Sequence, residues 1–212
     1  MKAFLFDLDG VIINSEPEHE AVFYQLFAEL GHAEDHGIVF DAFYGTSDLT
    51  VWRAFLERHP MEIDLQAMQA RKEALFLERA RKNRPFFPGA LKLIEKLQGT
   101  MRLAVASGSN LRIIQEALKI GRLEGAFETI ASAEEVARGK PHPDVFLLAA
   151  ERLNVAPKDC YVLEDSVNGV HAANAAGMRS IAIPNTFGPE ALEHAWRLVN
   201  DYSDVGPILN LK

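Results

Sequence analysis

The chain has 212 residues, 48% of them hydrophobic, with a net charge of −8 and a single cysteine. That is enough apolar material for one large domain or a domain with an insert, and the acidic balance argues against nucleic acid and anionic membranes as partners. Cys160 cannot form an internal disulfide and, in the apolar run Cys160-Tyr161-Val162-Leu163, reads as a buried small hydrophobe. No stretch approaches membrane-spanning length and the N-terminus carries no long apolar run, so a cytoplasmic monomer without a signal peptide is expected.

Residues Ala3 to Phe6 read as a short buried strand, and Asp7-Leu8-Asp9-Gly10 follows at once. In extended backbone, residues two apart point the same way, so Asp7 and Asp9 converge at the strand end. Two converging carboxylates are costly unless a cation sits between them, and Mg2+, which prefers oxygen ligands, suits them. One carboxylate then serves as nucleophile and the other as proton donor. Taken alone, D-x-D-G is also the pattern of a solvated turn. A calcium loop of the EF-hand type is excluded, because Gly10 stands fourth from Asp7 instead of sixth.

The pattern then turns helical. Ser15-x-x-Glu18 has the form of a capping box, followed by Val22, Phe23, Leu26, Phe27 and Leu30 on one face and Gly31 as a stop. Thr46 or Ser47 starts a second helix with Leu49, Trp52, Phe55 and Leu56 facing inward, ending before Pro60. A third runs from about Asp64 to Arg81, burying Leu65, Met68 and Leu75. Its basic residues, Arg71, Lys72, Arg79, Arg81 and Lys82, read mostly as a solvated face.

From Pro85 strands alternate with helices: helix Ala90–Leu97, strand Leu103–Ala106, helix Leu111–Ile120, strand Thr129–Ala131, helix Asp144–Leu153, strand Tyr161–Leu163, helix Asn168–Ala176 and strand Ser180–Ile183. This grammar predicts an α/β fold, a Rossmann-like parallel sheet covered on both faces. The helical block becomes an insert. The expected division is a core of residues 1–14 and 87–212 and a helical cap of residues 15–86.

Ligands of such sheets bind beyond the carboxyl ends of the strands. Asp7 ends the first strand, and Ser107-Gly108-Ser109-Asn110 follows the second just before a helix. Gly139-Lys140-Pro141-His142-Pro143 lies in the loop after the third strand, and Glu164-Asp165 ends the fourth. Ser107 alone would be a helix cap, Lys140 a surface lysine and Glu164-Asp165 a turn. Together they bring a carboxylate pair, a hydroxyl at a helix N-terminus, a cation and an acidic pair to one edge, which suits phosphate chemistry. His142 reads as a loop stabiliser.

Taken together these motifs resemble the haloacid dehalogenase superfamily of Mg2+-dependent phosphotransferases over nearly the whole chain. Gly139-Lys140-Pro141-x-Pro143-Asp144 and Glu164-Asp165-Ser166-x-x-Gly169 are similar to those of its β-phosphoglucomutase-like branch, which carries a helical cap after the first motif. The resemblance implies that Asp7 attacks phosphorus to form an aspartyl-phosphate, and that Asp9 protonates the leaving alkoxide and then activates water. It implies Mg2+ held by Asp7, Asp9 (through its carbonyl), Glu164 and Asp165, with Ser107, Gly108 and Lys140 around the phosphoryl oxygens. It also implies substrate contacts from the cap. His19 matches a mutase histidine that couples cap closure to catalysis, and Lys72 is a candidate cap cation. In the loop Tyr44-Gly45-Thr46-Ser47-Asp48, Tyr44 and Asp48 replace the lysine and arginine that hold a second phosphate in the mutase. Asn14 stands where many members have an acidic residue. The implied activity is Mg2+-dependent hydrolysis of a small phosphorylated metabolite, a sugar phosphate for example, with phosphomutase as the alternative. A silent binding protein and a haloacid dehalogenase fit the residues less well. G-x-S-x-G and G-x-x-x-x-G-K-[ST] are absent from the sequence.

Overall fold

The computed structural model describes residues 2–211. They form two compact units, one made of the chain up to Asn14 and from Pro85 onward, the other of Ser15–Arg84. The first unit holds both crossings of the chain side by side. Asn14 N–H donates to the Pro85 carbonyl at 2.7 Å and Phe87 N–H to that of Ile12 at 3.1 Å. Ile13 pairs with Phe86 as an isolated bridge. Pro85 and Phe86, placed in the helical insert by the sequence pattern, therefore belong with the sheet.

That unit is built on six parallel strands: β1 (Ala3–Phe6), β2 (Arg102–Ser107), β3 (Thr129–Ser132), β4 (Cys160–Glu164), β5 (Arg179–Ala182) and β6 (Arg197–Leu198). Their order is β3-β2-β1-β4-β5-β6. The two-residue edge strand β6 has no counterpart in the sequence pattern, because both of its residues are exposed and show no apolar run. One sheet face carries mostly small side chains. Ala3, Leu5, Ala104, Ala106, Ala131 and Val162 pack there with Val145, Phe146 and Ala149 of α6 (Asp144–Arg152) and Ala172 and Ala173 of α7 (Val167–Ala175). Alanines let the helices approach the sheet closely. The other face is aromatic: Phe4 meets Phe6 at 4.8 Å and Tyr161 at 6.4 Å between ring centroids. Period-2 alternation in each strand assigns the two sets to opposite faces.

Connections out of β1 run toward β3, whereas those out of β4 run toward β6. The crevice between β1 and β4 is thus the switch point of the sheet, where open parallel sheets place their ligands.

The second unit contains α1 (Glu16–Glu29), α2 (Asp48–Arg58) and α3 (Leu65–Asn83). Its interior is a ring cluster: Phe27 stacks on Phe55 at 4.3 Å, and Trp52 meets the edges of Phe23 and Phe27 at 5.5 and 5.7 Å. Several sequence expectations are corrected here. Ser15 accepts no side-chain capping bond, and Glu18 instead takes Arg79 and Asn83 of α3, both at 2.7 Å. Leu49 is exposed, so α2 buries Val51, Trp52 and Phe55. The third helix starts as expected, where Asp64 accepts the Gln66 and Ala67 N–H groups, but it buries Phe76, Leu77 and Ala80, while Leu65, Met68 and Leu75 are half-buried.

The largest correction concerns Lys72, expected on a solvated face or as a free cap cation. Its side chain is 2% exposed. The ammonium lies 2.7 Å from Asp48 Oδ1 and 2.6 Å from His19 Nδ1, with the rings of Phe23 and Phe76 at 5.3 and 5.7 Å. A buried charge must be paired, and helical spacing alone does not show that a partner waits on another helix. Lys72→Met should therefore destabilise the protein by about 2–4 kcal/mol, because it strands the Asp48 carboxylate. Lys72→Met with Asp48→Leu should recover most of that loss, as read by urea unfolding. Equal stability of the single and double variants would contradict the pairing argument.

Candidate active site

Asp7 continues β1, its N–H donating to the Leu163 carbonyl of β4 at 3.0 Å. The chain then turns sharply: Gly10 N–H donates to the Ile13 carbonyl at 2.8 Å, and Gly10 adopts φ +73°. A Cβ on Gly10 would stand 1.8 Å from Asp165 Oδ2, so only glycine lets this turn lie against the acidic pair of β4. Two residues from the far end of the chain clamp the turn. Asn185 Nδ2 donates to the Gly10 carbonyl at 2.7 Å, and the Tyr202 hydroxyl donates to the Val11 carbonyl at 2.6 Å.

Lys140 bridges the crevice. Its Nζ lies 2.6 Å from Asp7 Oδ1 and 2.6 Å from Glu164 Oε1, above the Phe146 ring at 4.8 Å. Glu164 is fully buried, and its Oε2 accepts the Asp165 and Ser166 N–H groups and the Ser166 hydroxyl at 2.9–3.0 Å. Four donors thus hold this one carboxylate. Gly169 makes room for it, because a Cβ there would lie 1.8 Å from Glu164 Oε1.

Asp9 lies over the turn that follows β2. The Ser109 hydroxyl donates to Asp9 Oδ2 at 2.7 Å, with the Ser107 hydroxyl farther off at 3.5 Å. Ser107 is fully buried, and its Oγ accepts the Ser109 N–H at 3.0 Å. Gly108 is exposed, and a Cβ on it would meet nothing, so the turn is open on that side. Asn110 caps α5 (Leu111–Gly121) by accepting the Ile113 N–H at 2.9 Å. His142 is exposed and holds its loop through its backbone N–H on the Gly139 carbonyl at 3.0 Å.

The electrostatics call for a cation. Asp7, Glu164 and Asp165 each offer an oxygen, all within 4.8 Å of one another and all buried. Burial pushes the Asp7 carboxyl up to about 8, with Glu164 and Asp9 adding to the rise and Lys140 opposing it. Burial, then Glu164 and Asp7, also lift Asp165 well above the usual carboxylate range. Lys140 is raised as well: burial alone would lower it, but Asp7 and Glu164 outweigh burial and keep the ammonium charged. One ammonium among three buried carboxylates leaves negative charge in excess, and an all-oxygen set of this kind fits a hard divalent cation.

Structure thus brings Asp7, Asp9, Ser107, Gly108, Lys140, Glu164 and Asp165 to the carboxyl ends of β1, β2 and β4. The remaining sequence candidates lie in the helical unit. His19 and Asp48, both half-buried, form the cluster described above around the buried Lys72, closed by Gln69 on Asp48 Oδ2 at 2.8 Å. Lys72 holds the Asp48 carboxyl below its usual range even though burial works against this. The Tyr44 hydroxyl donates to Glu20, a bond that keeps the phenol protonated, and Gly45 adopts φ +70° in the loop beside it. Sequence reasoning missed Ser109, Asn185 and Tyr202. Ser109 was within reach as the second hydroxyl of Ser107-Gly108-Ser109, but nothing local marks Asn185 or Tyr202.

A family model described as haloacid dehalogenase-like hydrolase matches residues 1–177. Hexitol phosphatase B of Escherichia coli (strain K12) is 35% identical over 195 residues, covering 89% of this chain and 85% of the relative. Among solved structures, β-phosphoglucomutase from Clostridium difficile superposes with a TM-score of 0.82 at 26% identity, covering 99% of this chain and 96% of that one. CbbY from Rhodobacter sphaeroides, in complex with xylulose-(1,5)bisphosphate, gives a TM-score of 0.83 at 28% identity, with 97% and 96% covered. With D-x-D-G, Ser107, Lys140 and the Glu164-Asp165 pair converging on the switch point of its sheet, the chain belongs to the haloacid dehalogenase-like hydrolase family.

Proposed function

We propose that this protein is a phosphoric monoester hydrolase that cleaves a small sugar phosphate or polyol phosphate through an aspartyl-phosphate on Asp7. The observation that carries the reading is the Lys140 bridge, which holds the Asp7 carboxylate at the mouth of the β1–β4 crevice. A carboxylate oxygen of Asp7 attacks phosphorus, and the bond to the ester oxygen breaks as the Asp9 carboxyl gives that oxygen its proton. In the second half Asp9, now ionised, takes a proton from water. The water oxygen attacks phosphorus, and cleavage of the Asp7–phosphorus bond frees inorganic phosphate and restores both carboxyl groups. Ser109 orients Asp9 for both transfers, and Lys140 offsets negative charge on the phosphoryl oxygens. The Ser107 hydroxyl and the open backbone at Gly108 flank the same oxygens.

Asp7 and Asp165 are the side chains that would hold Mg2+, together with the Asp9 carbonyl. Glu164, expected as a ligand, has both oxygens engaged by Lys140 and the β4–α7 turn and would serve by positioning them. The ion, when bound, supplies positive charge to the phosphoryl oxygens and keeps both carboxylates ionised.

The helical unit favours hydrolysis over transfer between sugar hydroxyls. A mutase must hold a second phosphate with fixed cations. Here Lys72 is committed to Asp48, Arg71 to Glu29 at 2.8 Å and Arg79 to Glu18 at 2.7 Å. Hexitol phosphatase B supports a polyol phosphate as substrate. The similarity to β-phosphoglucomutase is the reason to test the second reading directly. With β-glucose 1-phosphate and a trace of bisphosphate, the expected products are glucose and inorganic phosphate. Efficient formation of glucose 6-phosphate instead would establish a mutase.

Asp7→Asn should lower kcat by about a thousandfold or more while far-UV circular dichroism stays native, because it removes the nucleophile at constant volume. Retained turnover would exclude Asp7 as nucleophile. Ser109→Ala should cost about tenfold in kcat with KM little changed, the loss of one hydrogen bond to a charged group. Chelator should abolish activity and Mg2+ restore it. Ca2+ should restore little, because its larger, looser coordination does not enforce octahedral placement of Asp7. Full activity in excess chelator would overturn the metal assignment.

A further inference from the structure

The helical unit carries a second group of ligand-type side chains that plays no part in the chemistry above. His32 and Asp35 lie in the turn after α1, and His59 caps the C-terminal end of α2. Each offers one ligand atom, and these atoms lie within 4.8 Å of one another. Local rules bring them there. Gly31, at φ +90°, reverses the chain so that His32 N–H donates to the Phe27 carbonyl at 2.8 Å. His59 N–H donates to the Phe55 carbonyl at 2.9 Å, which aims its ring back along α2.

The two imidazoles lie 3.9 Å apart between centroids at a tilt of 39°. Both rest on the Phe55 ring, at 5.5 and 5.0 Å, so an apolar wall fixes one side of each. His32 Nδ1 meets Asp35 Oδ1 at 3.0 Å, and His59 Nε2 meets the Asp35 backbone carbonyl at 3.0 Å.

We propose that His32, Asp35 and His59 form a binding site for a borderline transition-metal ion, with Zn2+ the natural occupant. Two imidazole nitrogens and one carboxylate oxygen are the donors zinc takes, whereas Mg2+ prefers oxygen alone. Donor type thus sorts two different ions between this site and the all-carboxylate set at the sheet. A tetrahedral ion with bonds of about 2.0–2.1 Å spaces its ligand atoms about 3.3 Å apart. The 3.0 Å approach of His32 Nδ1 to Asp35 Oδ1 is already close to one edge of that polyhedron. The Asp35 side chain is 67% exposed, which leaves the remaining coordination position to water and the site open to entry. A bound ion ties the end of α1 to the end of α2 and stabilises the helical unit. This inference does not depend on the phosphatase reading.

Full-length protein in excess Mg2+, given one equivalent of Cu2+, should show electron paramagnetic resonance splitting from two imidazole nitrogens. Zn2+ should displace that signal and, added alone, raise Tm. His32→Gln and His59→Gln should each reduce the splitting to one nitrogen and weaken Zn2+ binding about tenfold or more, and Asp35→Asn should weaken it without changing the nitrogen count. Both histidine substitutions also remove packing against Phe55, so the unmodified protein supplies a second measurement. Zn2+ should protect His32 and His59 from diethyl pyrocarbonate, mapped by peptide mass, while His142 and His171 react as before. A two-nitrogen signal that survives both histidine substitutions would overturn the site. So would protection confined to His171 and His194, whose rings also lie close at 5.4 Å, or the absence of any zinc-dependent change.

Discussion

One ammonium group organises the sheet-bearing unit. Lys140 sits between Asp7 at the end of β1 and Glu164 at the end of β4, 2.6 Å from each. Buried ion pairs carry a desolvation cost that offsets much of their attraction, and well-packed apolar groups often serve stability as well. The bridge therefore makes sense as positioning. It draws the loop after β3 over the crevice and fixes the Asp7 carboxylate, the nucleophile of the proposed reaction, while Glu164 and Asp7 leave Asp165 in a surplus of negative charge that a cation would offset.

Two glycines make that arrangement sterically possible. The Gly10 turn presses against Asp165 and the first turn of α7 presses Gly169 against Glu164, each so closely that a Cβ would overlap a carboxylate oxygen at 1.8 Å. The backbone here serves as the wall of the acidic pocket; a side chain at Gly169 would push Glu164 away from Lys140, and one at Gly10 would displace Asp165. Asn185 and Tyr202, from the segments after β5 and β6, hold the same turn by its carbonyls. The end of the chain thus buttresses its beginning.

The helical unit handles charge in the opposite way. Its buried Lys72 is balanced by Asp48, with His19 beside it and Gln69 on the remaining oxygen. The carboxylates at the sheet keep a surplus of negative charge, and this cluster keeps none. A balanced cluster fixes structure and presents no net charge to a ligand, while an unbalanced one invites a counterion.

Sequence alone determined the alternation of strands and helices, the helical insert after β1, and the four motifs that the sheet topology brings to its carboxyl edge. It could do so because strand and helix periods are local, and because parallel connectivity forces successive strand ends to one side. It did not determine which charges find partners. Lys72 looked solvated in its own helix, Glu18 looked like a capping residue, and Ser109 was indistinguishable from its neighbours in a helix-start turn. Each was decided by a residue distant in the chain: Asp48, Arg79 and Asp9. Asn185 and Tyr202 carry no local signal, since their role exists only once the far end of the chain reaches the Gly10 turn. Long-range pairing of polar groups is a property of the folded surface as a whole, and only the tertiary structure assigned it.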